Sequence, residues 1–167
     1  MKRFVVEGPF KVPVYEGKGG RTITDENVRD FWATHADYRA RRGCYVFAMR
    51  AGKGSTPGYV GMATKGFKTE VFAPHKLTRY QQFLADYAKG TPVLFFVVEP
   101  AAKGAPNLKQ IRDLERFLIQ VGVAANADLL NIKGTKAEEW GIAGVLRGGV
   151  GKPSQSAKLF KAMMAIK

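Results

Sequence analysis

Gly43-Cys44-Tyr45-Val46-Phe47-Ala48-Met49-Arg50, the connection Ala51-Gly52-Lys53-Gly54-Ser55-Thr56-Pro57, and then Gly58-Tyr59-Val60-Gly61-Met62-Ala63 form the stretch that decides the fold. Two short apolar runs, rich in aromatic and β-branched residues, flank a Gly-rich turn, which is the pattern of a β-hairpin. Each predicted strand carries one tyrosine next to glycine, Tyr45 and Tyr59, where backbone can approach a ligand closely. Patterning alone favours the plainer reading of half-buried strand tyrosines with their hydroxyls turned to water.

Downstream, Thr64-Lys65-Gly66 turns the chain into Phe67–Phe72, and Pro74 can open a helix at its first position. Leu77, Tyr80, Leu84 and Tyr87 recur at three- and four-residue spacing, and Gly90 ends that pattern. Thr91 to Glu99 is a continuous apolar run, predicted to be a central strand covered on both faces. Asn107 can cap a helix running to about Gly122, with Ile111, Leu114, Leu118 and Val121 as its buried stripe. Upstream, residues 4–15 read as an edge strand interrupted by Pro9 and Pro13. Thr24 is placed to cap a helix over Asp25–His35, with Phe31 and Trp32 on its apolar face and His35 at its exposed end. Beyond Asn131 the chain is Gly-rich; Ile142–Leu146 suggests a strand or docking segment, and Ser156–Ile166 a closing helix.

The order β-β-α-β-α with terminal additions predicts a small α/β domain: a three-stranded mixed or antiparallel central sheet flanked by helices. Residues 1–42 are expected to be an extension packed on the core, 43–131 the core domain, and 132–167 a basic C-terminal extension. A chain of 167 residues with 46% hydrophobic content suffices for one ordinary core. It has no apolar run long enough to span a membrane and no signal-peptide h-region. The single cysteine, Cys44, excludes an internal disulfide framework and suits a reducing cytoplasm. Set within an apolar strand, it reads as a small buried residue rather than a nucleophile.

Charge points to a polyanionic partner. There are 27 Lys+Arg against 14 Asp+Glu, a net charge of +13. Phosphate contacts with counterion release favour such an excess. Residues 133–167 are densest, with 7 basic and 2 acidic groups. No basic low-complexity tail is present, so a folded basic surface is expected. The sequence contains no zinc-ligand cluster and no Ser/His/Asp arrangement, and the string Gly148-Gly149-Val150-Gly151-Lys152 is too short for a phosphate-binding P-loop.

Gly43-Cys44-Tyr45 followed by Tyr59-Val60-Gly61 resembles the paired signature that names the GIY-YIG nuclease family. The order of parts downstream is also similar to that family: a helix with basic residues, a third strand, and a helix carrying a glutamate, here Glu115. Asn131 matches the asparagine that often follows, and the resemblance covers roughly residues 43–131. It implies a metal-dependent endonuclease acting on DNA, or on RNA, with Mg²⁺ or Mn²⁺ as cofactor. It further implies that Tyr45 and Tyr59 orient or deprotonate water, that Glu115 holds the metal, and that Asn131 supports the site.

Each of these residues also has a plainer reading. Glu115 falls about 60° from the middle of its helix's predicted stripe at 100° per residue. A carboxylate there is solvated, bound to a cation, or paired with Arg112 or Arg116. Asn131 is equally a turn residue that caps backbone. A phenol acts as a base only where a nearby cation depresses its pKa from about 10.

One departure from the family pattern stands out. Glu70, of the wrong sign, falls near the position where an arginine is expected. Lys76 or Arg79 on the same helix, or Lys65 or Lys68 in the turn before it, would have to supply that charge, and His75 lies where many members have a histidine. Trp140 onward, with Lys152, Lys158 and Lys161, is expected to grip phosphates. The competing function is a nucleic-acid-binding module that keeps the fold without cleavage, and a third reading is a basic interaction domain whose tyrosines only pack. Without an added recognition domain, target choice falls to a partner protein or to the structure of the substrate.

Overall fold

A computed structural model describes residues 4–100, 105–131 and 152–163. The chain divides into two compact units, Met1–Thr135 and Lys136–Lys167. The first is a mixed α/β structure with one four-stranded antiparallel sheet and a small two-stranded one. Its elements in chain order are β1 (Val5–Lys11), β2 (Tyr15–Gly17), β3 (Gly20–Thr22), α1 (Asp25–Thr34), β4 (Gly43–Ala51) and β5 (Gly54–Ala63). After these come α2 (Phe67–Glu70), α3 (Pro74–Ala85), β6 (Thr91–Val98) and α4 (Leu108–Ala125).

The hairpin forms as its sequence predicts, with Gly43 opposite Ala63 and Tyr45 opposite Gly61. A register shift between Phe47 and Ala48 leaves Gly58 without a partner, and Phe47 pairs with Tyr59. Strand β6 lies between β1 and β4, which explains why its sequence is apolar without alternation. The sheet has four strands, not the three expected from residues 43–131. Strand β1 hydrogen-bonds along β6, so the N-terminal segment completes the main sheet. The period-2 signal of β1 is weak because it is an edge strand with exposed Val5 and Val6.

The two faces of the sheet have separate apolar layers. Tyr45, Phe47, Met49, Leu94, Phe96 and Val98 face α1–α3, where they meet Phe31, Trp32, Phe67, Tyr80 and Phe83. The Phe47 ring stacks on Tyr80 at 4.1 Å, and Phe67 on Phe96 at 4.3 Å. On the other face Cys44 and Val97 meet Ile111, and Val60 meets Ile119 and Leu129. The Cys44 thiol points at Ile111 O (3.4 Å), and burial pushes its pKa up to about 12, as an inert core residue requires.

Helix boundaries follow local chemistry. Thr24 caps α1 with a capping box: its Oγ1 accepts from Asn27 N, and its own N–H donates to Asn27 Oδ1. Pro74 sits in the first turn of α3, and the Asn107 side chain accepts from Gln110 N at the start of α4. His35 departs from expectation. It lies against the rings of Phe10 and Phe31, each 4.6 Å away, and burial lowers its pKa.

In the second unit, α5 (Gln155–Met163) starts where Ser154 Oγ accepts from Ala157 N. Trp140 and the apolar run Ile142–Leu146 lie outside the described residues.

Gly43 shows how tightly the strands are matched. Its φ is +142°, and a Cβ there would lie 2.1 Å from Val97 O. Gly52, at the hairpin tip with φ +57°, faces open space. Gly43→Ala is expected to cost roughly 3 kcal/mol or more, and Gly52→Ala about 1 kcal/mol. Urea denaturation of both variants checks the difference; equal losses would contradict the strand register.

Candidate active site

Strand β5 is an outer strand of the main sheet, so its backbone groups on one side have no strand partner. Residues 126–131 return alongside it and satisfy several of them. Asn126 Nδ2 donates to Pro57 O (2.7 Å), and Leu130 N–H donates to Gly58 O (2.9 Å). The Asn131 side chain then engages Val60 twice: Val60 N–H donates to Oδ1 (2.8 Å), and Nδ2 donates to Val60 O (2.7 Å). Asn131 therefore caps backbone and also borders the cleft.

Past Asn131 the edge is open, and a cleft of about 640 Å³ forms there. Strand β5 supplies Tyr59 and Met62. Helix α3 supplies His75 and Arg79, and α4 supplies Arg112, Glu115, Arg116 and Ile119; Leu130 and Asn131 close the side. Helices α3 and α4 cover opposite faces of the sheet, so they approach each other only past its edge. That placement joins residues from Tyr59 to Asn131.

Glu115 sits deeper in its helix face than its spacing suggests. The buried residues of α4 are Ile111, Ile119 and Gly122, while Val121, expected on the stripe, is exposed. Glu115 is one turn from both Ile111 and Ile119, so it lies within the buried stripe rather than about 60° from its middle. Burial raises its pKa; Lys76, the Met62 N–H and Arg112 oppose that, and Glu70 adds to it. Neither Arg112 nor Arg116 forms an ion pair with it. The ion pair within 4 Å among the described residues is Lys109–Asp113.

The two tyrosines have different surroundings. Tyr59 is half-buried and lines the cleft; burial and the Glu115 charge raise its pKa, with Arg79 opposing. Tyr45 is fully buried, and among the described residues its hydroxyl has no hydrogen-bond partner. The neighbouring Tyr80 hydroxyl donates to Val71 O instead (2.7 Å). Burial, then the nearby Tyr80 and Tyr59 phenols, hold the Tyr45 pKa well above its usual value, opposite to what a catalytic base needs. The adjacent glycines serve these packing contacts and do not open backbone to a ligand. A Cβ on Gly61 would lie 2.3 Å from the Tyr45 hydroxyl, and one on Gly58 would lie 2.5 Å from the Phe83 ring.

The basic residues separate in the same way. Lys76 is 8% exposed and its ammonium lies 5.1 Å from the Tyr45 ring centroid. Burial lowers its pKa, and Glu70 and Glu115 partly restore it. Arg79 projects into the cleft, whereas Lys65 and Lys68 are exposed and do not line it. Glu70 is occupied elsewhere: its Oε1 accepts from Thr64 N (2.6 Å), Lys65 N (2.7 Å) and Thr64 Oγ1 (3.2 Å). It ties the turn after β5 and does not itself line the cleft, although its charge is felt by Glu115. His75, expected at a helix start, is exposed at the cleft border. Lys152 and Lys158 belong to the second unit, and the Lys161 side chain lies outside the described residues.

Arg112 and Arg116 are the lining residues that the sequence reading treats only as partners for Glu115. Their three- and four-residue spacing around Ile119 and Glu115 is the signal that places them on one helix face. Three arginines and one carboxylate give the cleft a net positive lining, suited to an anion. Among the described residues no three His, Cys, Asp or Glu side chains gather into a metal cage. A half-buried carboxylate without an ion-pair partner still fits a hard cation that keeps most of its waters. No protein-family model matches the chain, and neither does any curated protein or solved structure.

Two stability measurements check this geometry. Tyr45→Phe removes a buried hydroxyl that has no partner, so it is expected to leave stability unchanged or to raise it by about 1 kcal/mol. Asn131→Ala strands the Val60 N–H and C=O and is expected to cost about 1–3 kcal/mol. A large loss for Tyr45→Phe, or none for Asn131→Ala, would contradict the described hydrogen bonding.

Proposed function

We propose that the chain is a metal-dependent endonuclease with a GIY-YIG-like site, hydrolysing phosphodiester bonds in nucleic acid. The observation that carries this reading is the convergence of Tyr59, Arg79 and Glu115 on one basic cleft, from the three elements that the motif order designates. Arg79, one helical turn beyond His75, supplies the charge of the arginine expected near the position that Glu70 holds. Arginine offers a planar two-pronged donor to phosphate oxygens, which a lysine lacks. Arg112 and Arg116 add charge to the other wall.

In hydrolysis the oxygen of water bonds to phosphorus as the water gives up a proton to solvent, the bond to the leaving oxygen breaks, and that oxygen takes up a proton from solvent. Bound at Glu115, Mg²⁺ or Mn²⁺ would supply Lewis-acid stabilisation of the developing charge. The chain's own groups do the rest. Arg79, with Arg112 and Arg116, binds and orients the phosphate through charge-assisted hydrogen bonds. Tyr59 keeps its proton, since burial and Glu115 raise its pKa, and as a neutral phenol it orients the attacking water. Tyr45 sits beneath the cleft and positions the Lys76 ammonium above its ring, without meeting substrate. A binding module without cleavage is the second reading, favoured by the sealing of Tyr45 in the core.

Cleavage of supercoiled plasmid, branched DNA and RNA with Mg²⁺ or Mn²⁺ tests the first reading. Glu115→Gln and Arg79→Gln are each expected to lower the rate about 10²-fold or more, and Tyr59→Phe more than Tyr45→Phe. Salt-sensitive binding with no cleavage of any substrate would select the binding module.

The pH profile gives a separate check. A protonated Glu115 cannot hold a cation, and burial raises its pKa in the metal-free chain, so at limiting cation concentration activity is lost as pH falls through a value above the ordinary carboxylate pKa of about 4.3. Cation and proton compete for the same carboxylate, so the acid limb moves to lower pH as Mg²⁺ or Mn²⁺ is raised; a limb that does not move with cation concentration would remove Glu115 from the role.

A further inference from the structure

The segment between α1 and β4 carries Arg39, Arg41 and Arg42 in four residues. Its backbone is held against the turn that follows β5. Arg41 O accepts from Phe67 N–H (2.9 Å), and Arg39 O accepts from Lys68 N–H (3.1 Å). Gly66 lies close enough that a Cβ would be 3.0 Å from Arg39 O. Two stretches far apart in sequence thus present Arg39, Arg41, Lys65 and Lys68 together, all four exposed.

No ion pair within 4 Å ties up these four cations among the described residues. The Glu70 carboxylate accepts from Thr64 and Lys65 backbone N–H groups, and Glu7 and Asp37, both felt by Tyr38, are the other carboxylates near the segment. Arg39 is partly committed, since its Nε donates to Trp32 O (3.0 Å), whereas Arg41, Lys65 and Lys68 carry no side-chain hydrogen bond among the described residues. The patch also adjoins the cleft. Lys65 is three residues beyond the cleft residue Met62, a reach of at most about 11 Å along extended chain. The Glu70 charge is likewise felt by both Lys76 and Glu115.

We propose that Arg41, Lys65 and Lys68 form a second phosphate-binding surface, which holds the nucleic-acid backbone flanking the strand in the cleft. A patch next to the cleft meets the neighbouring phosphates, because a strand carries one charge per about 3.4 Å of rise. The N-terminal segment, otherwise without chemistry, then contributes directly to substrate grip. Its backbone attachment to α2 fixes the spacing of the cations before the ligand arrives, so less ordering is lost on binding. The inference rests on the nucleic-acid reading of the cleft and not on cleavage.

The test is the salt dependence of binding by the full chain in EDTA, with a short labelled DNA duplex and its RNA counterpart, from about 50 to 200 mM salt. The variant is R41Q/K65Q/K68Q. Its control, R50Q/K53Q/K89Q, removes the same charge from exposed residues at the opposite end of the β4–β5 hairpin. The patch variant is expected to flatten the slope of log K against log salt by about two to three, and the control by less than one. Equal slopes for the two variants, no change in either, or no salt-dependent binding by the wild type would overturn the proposal. Circular dichroism of each variant establishes that the fold is retained; the hydrogen bonds that build the patch are made by backbone, which glutamine preserves. Cleavage is scored separately. A slope change without cleavage keeps this surface and removes the nuclease reading, and cleavage without a slope change does the reverse.

Discussion

An unpaired sheet edge is the constraint on which this structure depends. Backbone N–H and C=O groups on an edge strand must find partners or face water. In β5 the first part of that edge is closed by Asn126, Leu130 and Asn131, which supply donors and acceptors in place of a fifth strand. At Met62 the closure stops, and the Glu115 carboxylate faces the Met62 N–H. The cleft is therefore the part of the edge that the fold leaves unfilled. Helices α3 and α4, anchored on opposite faces, bring Arg79 and Glu115 together there.

This arrangement places one carboxylate among several cations at intermediate burial. Burial opposes charge on Glu115 and Lys76 alike, raising one pKa and lowering the other. Each partly restores the ionised state of the other, and Glu70 couples to both. The tyrosines divide under the same rule. Tyr59 keeps one side open to the cleft, while Tyr45 is buried behind Gly61 and gives up hydrogen bonding at its hydroxyl. A position that in the motif looks equivalent to Tyr59 thus has a different physical state, because β4 is an inner strand of the sheet and β5 an outer one.

Much of the fold was legible locally. Thr24 and Asn107 cap the helices they were expected to cap, Pro74 opens α3, and the apolar Thr91–Val98 strand lies inside the sheet. These features depend on groups within a few residues of one another. The fourth strand was not legible as part of the main sheet. Val5 and Val6 are exposed on an edge, and pairing with β6 spans about ninety residues with no local signature. The stripe of α4 was misassigned at Val121 for a similar reason. Hydrophobic spacing fits two overlapping faces, and only packing against Val60 and Leu129 selects the one that contains Glu115.

The amino-acid sequence by itself determined the hairpin, the helix starts, the cationic balance and the order of the candidate residues. All of these follow from local backbone preference, capping chemistry or composition. Tertiary structure decided which cations share a cleft, because Arg79, Arg112 and Arg116 lie on helices that meet only across the β5 edge. It also decided that Glu70 serves the turn, that Asn131 closes the edge, and that Tyr45 is sealed. Each of those outcomes turns on desolvation and hydrogen-bond partners, and a partner distant in sequence acquires a position only when the sheet has formed.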